Sequence, residues 1–171
     1  MKTKRLQIFL PLGLTLAVVA CSSTVNVTEL QHYPLDNVDG MIGRTQVEFD
    51  PDISHDSNGS IKITATQPTT VPLYETGNLD LENTRIFYQA KLKTQDLQGK
   101  AYIEMLCHFP GKGEFFSRAL NSPLTGTQDW TSQETPFILR PGENPDNIKL
   151  NLVIEGTGTV WIDDIRLIER K

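Results

Sequence analysis

The segment GTGTVWIDDIRL, residues 156–167, contains a break in its hydrophobic alternation that decides how its strand is built. Up to Ile162 the apolar residues occupy every second position, but from Ile165 onward they occupy positions of the opposite parity. Because side chains alternate between the two faces of a strand, both sets can face one core only if an extra residue is inserted between them. The sequence therefore predicts a β-bulge at Asp163 and Asp164, with Ile162 and Ile165 both pointing inward.

Apolar and polar residues alternate along several other parts of the chain, whereas no segment after residue 20 shows the spacing of an amphipathic helix. The alternating runs are residues 60–66, 85–93, 101–109 and 148–156. Clusters of glycine, proline and asparagine separate these runs, and Asn58-Gly59 before the first of them is typical of a β-hairpin turn. Strands joined by such turns predict an all-β fold, an antiparallel β-sandwich or a barrel.

The N-terminus has the pattern of an export signal. Residues 1–20 begin with three cations and continue into an apolar run that is shorter than the roughly 20 residues needed to span a bilayer. The residues that follow, Val18-Val19-Ala20-Cys21, resemble a bacterial lipobox, which implies cleavage before Cys21 and lipid attachment to it. The alternative is an ordinary cleavage site that a cysteine follows by chance. Ser22, in place of the aspartate that retains lipoproteins at the inner membrane, favours the outer membrane if the host is Gram-negative.

These features predict three parts, namely a lipoprotein signal peptide over residues 1–20, a lipidated tether over 21–25 and a β-sandwich domain over 26–171. Cleavage would remove three cations and no acid, so the formal net charge would change from -5 to about -8. This acidity argues against a nucleic-acid partner and against electrostatic docking of the whole protein onto anionic lipid. With Cys21 lipidated, Cys107 has no disulfide partner, and because it lies on the apolar parity of its run we expect its thiol to be buried.

Two long segments resemble a known family of domains. LTGTQDWTSQETPFILRPG, residues 124–142, and IKLNLVIEGTGTVWIDDIRL, residues 148–167, are similar to the second half of the galactose-binding-like jelly rolls that include many carbohydrate-binding modules. The likeness covers about residues 84–169 well and residues 25–83 weakly. It implies an antiparallel β-sandwich of the jelly-roll type, but it says little about the ligand, because this fold serves sugar-binding, lipid-binding, peptide-binding and structural roles.

The resemblance also implies a structural Ca²⁺, held by an aspartate of the last strand together with oxygen ligands from an early loop. Asp163 and Asp164 match the position in the last strand, whereas the acidic partner in the early loop is not identifiable among the three candidates. These candidates are Asp50, Asp52 and Asp56. From the residues alone, the alternative is an aspartate pair that is hydrogen-bonded at a bulge without a metal. No other cofactor is indicated.

The sequence contains no recognisable catalytic constellation, and we predict that the protein is not an enzyme. A candidate ligand-binding face is formed by residues on the non-core parity of their strands. These residues are Tyr102, Glu104, His108, Arg118 and Asn151. The resulting prediction is a membrane-anchored, non-catalytic lipoprotein of the bacterial cell envelope that binds a glycan or another envelope component. The alternative is a structural or accessory lipoprotein that docks onto a partner protein and has no small-molecule ligand.

Overall fold

The computed structural model describes residues 26–171, so the predicted signal peptide, the tether and Cys21 lie outside the described residues. The strands are β1 Val27–Tyr33, β2 Val47–Asp50, β3 Ser60–Ala65, β4 Thr69–Thr76, β5 Thr84–Phe109, β6 Gly113–Arg118, β7 Leu124–Leu139 and β8 Asn147–Arg170. All pairings between these strands are antiparallel. None of residues 26–171 belongs to a helix that could span a membrane.

The two longest strands, β5 and β8, pair with each other along almost their whole length and form the centre of the fold. The other edge of β8 pairs in succession with β1, β3 and β4, and β2 is added outside β3. The other edge of β5 pairs with β7 and β6. Every remaining strand is therefore placed by its register against one of the two central strands or, for β2, against β3.

The β5–β8 pair bends sharply in its middle. The register shifts between Gln95 and Gln98 of β5, opposite a stretch of β8 that contains Gly156 and Gly158, both with positive φ. We call the half with β1, β2, β3 and most of β7 sheet I, and the half with β4 and β6 sheet II. Their inner faces share one hydrophobic core. The fold is thus an all-β, antiparallel sandwich, as predicted.

The core consists of the apolar parity of the predicted runs. The fully buried inner residues of β5 and β8 are Ile86, Tyr88, Leu92, Ala101, Ile103, Met105, Cys107, Leu150, Leu152, Ile154, Val160, Ile162, Ile165 and Leu167. Cys107 is buried, as predicted from its parity, and burial raises the pKa of its thiol to about 12. A thiolate is therefore disfavoured at this position near neutral pH.

The bulge predicted from residues 156–167 is present. Between the registered pairs on either side of it, β5 contributes only Ala90, whereas β8 contributes Asp164 and Ile165. Asp164 adopts a φ of 48°, in the left-handed region that a non-glycine residue rarely occupies. Ile162 and Ile165 are both fully buried despite their odd spacing. The inserted residue resets the alternation, so the prediction is confirmed.

The predicted hairpin before β3 exists, but its connection is different from the expected one. Strands β2 and β3 are antiparallel neighbours joined by residues 51–59 rather than by a two-residue Asn58-Gly59 turn. The Asp50 carboxylate accepts two backbone N–H groups at the start of this loop, and the Asp163 carboxylate accepts a third one in its middle. These contacts fix a longer loop next to the β8 bulge, which local turn chemistry alone does not predict.

Candidate ligand-binding face

The outer face of sheet II carries a row of four registered residues, one on each of four strands, of which three are polar. Pro72 of β4 is registered with Asn151 of β8, Asn151 with Glu104 of β5, and Glu104 with Arg118 of β6. Because neighbouring strands lie about 4.8 Å apart, the row is roughly 15 Å long. The structure therefore brings together three of the predicted ligand-binding residues, Glu104, Arg118 and Asn151, in one line.

Glu104 is the centre of this row and is only 5% exposed. Arg118 donates from Nε to Glu104 Oε2 over 2.5 Å, and Asn151 donates from Nδ2 to Glu104 Oε1 over 3.1 Å. A shielded carboxylate is costly unless it is paired and hydrogen-bonded, and here each oxygen has a donor. Glu104 therefore fixes the orientation of both the guanidinium and the amide beside it.

Asn151 holds a buried acceptor that has no donor within residues 26–171. Its side chain is buried, and its Oδ1 atom makes no hydrogen bond. The carboxylate of Glu104 can only accept, so it requires the NH₂ group of Asn151 and leaves Oδ1 pointing elsewhere. An unpaired buried acceptor costs about 1–3 kcal/mol.

Tyr102 lies next to the row. Its side chain is buried, and its hydroxyl donates to Glu155 Oε1 over 2.6 Å. Burial, together with the hydrogen bond to Glu155, raises the pKa of Tyr102 to about 12, so the phenol remains protonated at neutral pH. An open depression of about 330 Å³ adjoins these residues. Its lining includes Pro68, Thr70, Tyr102, Arg118, Val153 and Glu155.

Phe116 belongs to the same face, although it is not among the residues predicted from the sequence. Its side chain is 60% exposed, and the Arg118 guanidinium lies 4.3 Å from the centre of its ring. The segment GEFFSR places Phe116 two residues before Arg118, so the two share a face of β6. That shared parity was the signal that could have identified Phe116. An exposed ring beside fixed polar groups suits a ligand with both apolar C–H surfaces and hydroxyls.

His108 is the one predicted ligand-binding residue that the structure separates from the others. It follows Glu104 by four residues on the same strand, which corresponds to about 13 Å. Its Nδ1 lies 2.6 Å from Asp146 Oδ1, in a separate pair near the end of β5. This separation along the strand is too large for Glu104 and His108 to act together as an acid/base pair.

The two tryptophans, Trp130 and Trp161, lie beside β2 and the loop that follows it, and not on sheet II. Trp161 is buried and donates from Nε1 to Asp50 Oδ2, at the end of β2, over 2.9 Å. Trp130 is half-buried and packs edge-to-face with His55 of the loop, with 6.1 Å between the ring centres.

The aspartate pair at the bulge is stabilised by backbone N–H donors, an arginine and a histidine. Asp163 is buried, and its two oxygens accept the backbone N–H groups of His55 and Asp164, each over 2.8 Å. Asp164 Oδ1 lies 2.9 Å from both Arg166 Nε and His32 Nε2. Burial raises the pKa of Asp163, and the two N–H groups oppose this effect. Burial acts in the same way on Asp164, but Arg166 and His32 hold its pKa below the usual range.

The donor set of this pair does not match the ligands that calcium prefers. Calcium is bound by six to eight oxygen atoms, which include several carboxylates and carbonyls. Here the oxygens of Asp163 already accept backbone N–H groups, and Oδ1 of Asp164 is held by Arg166 and His32. Of the candidate early-loop acids, Asp50 is engaged by Trp161. Within residues 26–171, no three His, Cys, Asp or Glu side chains form a cluster that could hold a metal ion.

We therefore expect millimolar calcium to leave the melting temperature unchanged. A ligand that binds only the folded state raises the melting temperature with the logarithm of its excess over the dissociation constant. Thermal unfolding followed by circular dichroism, with calcium and with chelator, measures this directly. A calcium-dependent rise that disappears in an Asp163→Ala, Asp164→Ala double variant would instead show that the pair holds the metal.

No protein-family model matches the chain, and no curated protein matches it. Among solved structures, the xylan-binding domain CBM22-1 from Paenibacillus barcinonensis Xyn10C is similar with a TM-score of 0.60 and 9% identity, over 86% of this chain and 96% of that chain. A second xylan-binding domain from CBM 22 has a TM-score of 0.60 and 9% identity, over 81% and 93% of the two chains.

A family 16 carbohydrate-binding module is also similar, with a TM-score of 0.53 and 14% identity, over 71% of this chain and 84% of that chain. At these identities the likeness concerns the fold. The chain has an all-β antiparallel architecture that resembles the β-sandwich jelly rolls of carbohydrate-binding modules.

Proposed function

We propose that the protein is a membrane-anchored, non-catalytic lipoprotein that binds a glycan of the cell envelope on the outer face of sheet II. The observation that carries this proposal is the fixed Glu104–Arg118 pair, whose guanidinium lies against the exposed ring of Phe116 and beside the open depression at Tyr102. The anchor is proposed from the sequence of residues 1–22 alone, in which Cys21 is the lipidation site.

The chemistry of this face suits a sugar. Sugar hydroxyls accept hydrogen bonds, and the face offers donors in the partly exposed guanidinium of Arg118. Sugar rings also have apolar C–H faces that pack against an aromatic ring such as that of Phe116. The depression beside Tyr102 is open, which suits a chain that passes across the surface. The similarity in fold to xylan-binding domains supports the same proposal.

The state of Glu104 supports a binding role rather than catalysis. Both of its oxygens are hydrogen-bonded, to Arg118 and to Asn151. A carboxylate that acts as a general acid must be free to give its proton to the reacting group, within direct hydrogen-bond reach or through one water molecule. Glu104 is instead committed to its neighbours, so its role is to position them.

A second candidate function is docking onto a partner protein, and it is favoured by the exposed apolar residues around β6. Phe115 and Phe116 are exposed on this strand, and Leu120 is exposed just after it. β6 lies at the edge of the sheet, and edge strands with exposed apolar side chains are prone to associate with other chains. In this alternative Phe116 contacts protein, and Asn151 contributes nothing to binding.

A glycan-binding screen of a soluble form that begins at residue 22 tests the proposal. We expect at least one polysaccharide of the cell envelope to bind. Asn151→Ala should weaken binding by roughly fivefold to tenfold, since Glu104 loses the amide donor that helps to hold it and Arg118 in place. Phe116→Ala should weaken it by a similar factor, since stacking on an aromatic ring contributes about 0.5–1.5 kcal/mol.

The matched control is Phe49→Ala, which removes an exposed ring from sheet I. It should bind as the unmodified protein does. An absence of binding across the screen, or equal losses in all three variants, would contradict the proposal and favour protein docking.

A further inference from the structure

One end of sheet I carries a row of exposed residues where the described chain begins. Val27 of β1 is registered with Arg170 of β8, Arg170 with Arg85 of β5, and Arg85 with Ile138 of β7. Registered residues share a face, so these four side chains lie side by side. The apolar members are strongly exposed, 58% for Val27 and 65% for Ile138. Residues 1–25 precede this row in the chain, and their sequence contains the apolar run and Cys21.

Two depressions meet at Ile138, and cations surround both of them. Their volumes are about 290 Å³ and about 430 Å³. The charged residues that line them are Arg85, Lys112, Arg140, Arg170, Lys171 and Glu143. Five cations and one carboxylate thus line these depressions in a chain whose formal net charge is -5, and two further carboxylates, Glu134 and Glu169, lie beside Arg170 and Lys171. We call this surface the basic end.

Three of these cations form no ion pair within residues 26–171. Arg170 is paired with Glu134, and Lys171 is paired with Glu169. Arg85, Lys112 and Arg140 have no acidic partner among the ion pairs of the described part of the chain. Their charges are therefore available to an external anion.

Apolar side chains stand among these cations. Ile138 and Phe115 line the same depression as Lys112 and Arg140, and both are exposed. Surfaces that lie on a membrane combine apolar groups, which enter the boundary of the acyl chains, with Lys and Arg at the level of the anionic headgroups. A soluble anion would account for the cations but not for the exposed apolar residues between them.

We infer that the basic end rests on an anionic lipid surface. Residues 1–25, which carry the proposed anchor, join the sandwich at this end. The acidity of the whole chain argues against such docking, but its charges are unevenly distributed, and electrostatic attraction to lipid falls off within about a Debye length of the surface. The sandwich then stands with the bend of β5 and β8, about 40 Å away along the strands, directed away from the membrane. This surface is separate from the proposed glycan-binding row.

Tryptophan fluorescence of the full chain in lipid vesicles tests this inference. We expect an Ile138→Trp variant, reconstituted in phosphatidylcholine vesicles that contain phosphatidylglycerol and brominated acyl chains, to be quenched well beyond the unmodified protein. The natural Trp130 and Trp161 supply the baseline. A Gln98→Trp variant is the matched control, because Gln98 is exposed at the bend, and it should show no extra quenching.

The charges are tested in the same Ile138→Trp chain. Each cation near an anionic surface strengthens the contact about fivefold. Arg85→Gln, Lys112→Gln and Arg140→Gln together should therefore lower the equilibrium constant for docking of the basic end roughly 100-fold and remove the extra quenching. Circular dichroism checks that the variants fold. Quenching that is equal for the Ile138→Trp and Gln98→Trp chains, equal without phosphatidylglycerol, or unchanged by the three substitutions would overturn the inference.

Discussion

Gly156→Ala is expected to destabilise the sandwich severely. Gly156 lies in the bend of β8 with a φ of 151°, a conformation that side chains rarely adopt. A Cβ atom built on it would overlap the carbonyl oxygen of Gln98 on the opposite strand, and Gly99 is equally close to Glu155. Because the obstruction is backbone on both sides, neither strand can move without opening the bend. We expect a loss of more than about 4 kcal/mol in the free energy of unfolding.

Gly142→Ala is the matched control for this substitution. Gly142 also has a positive φ, 76°, but no atom lies within 4 Å of the position where its Cβ would stand. Its substitution should therefore cost only about 1 kcal/mol, which is the conformational penalty by itself. Urea unfolding followed by circular dichroism compares the two variants. If Gly156→Ala were as stable as Gly142→Ala, strands β5 and β8 would not approach each other this closely at the bend.

Truncation of the isoleucines on either side of the bulge should also be strongly destabilising. Ile162 and Ile165 are fully buried in one core, so Ile162→Ala and Ile165→Ala should each cost about 2–5 kcal/mol. The loss combines the removed apolar surface with the cavity that remains. Chemical denaturation of the two single variants gives the values.

The informative comparison is between these two residues. In a strand without the bulge, Ile162 and Ile165 would face opposite sides, and one of them would be a surface residue. Truncation of a surface residue usually changes stability by less than about 0.5 kcal/mol. A large effect at Ile162 with a negligible effect at Ile165 would therefore contradict the bulge.

The sequence was sufficient to predict the central strands, because burial on one face imposes a strict alternation. The parity of residues 101–109 and 148–156 identified the inner face of sheet II, including Cys107. Parity does not show where a strand bends, so the 26-residue length of β5 and its division between two sheets were not predicted. The bend depends on close backbone contact between Gly99 and Gly156, which are far apart in the chain.

The candidate site was predictable only in part. Parity placed Glu104, Arg118 and Asn151 on one outer face, but it could not show that Glu104 is shielded or that Asn151 reaches it. That contact joins residues 47 positions apart and depends on the register of β5 against β8. His108 shared the parity but lies too far along its strand. Phe116 was missed because its exposure follows from the edge position of β6, which the sequence does not reveal.

Glycan binding on the outer face of sheet II can be tested by mapping the bound glycan on an isotope-labelled form that begins at residue 22. Heteronuclear NMR spectra recorded during the titration report each backbone amide and the side-chain amide of Asn151. We expect the largest changes in chemical shift at the backbone amides of Glu104, Phe116, Arg118 and Asn151 and at the side-chain amide of Asn151. Changes concentrated on the outer face of sheet I, around Trp130 and the β2–β3 loop, would contradict it.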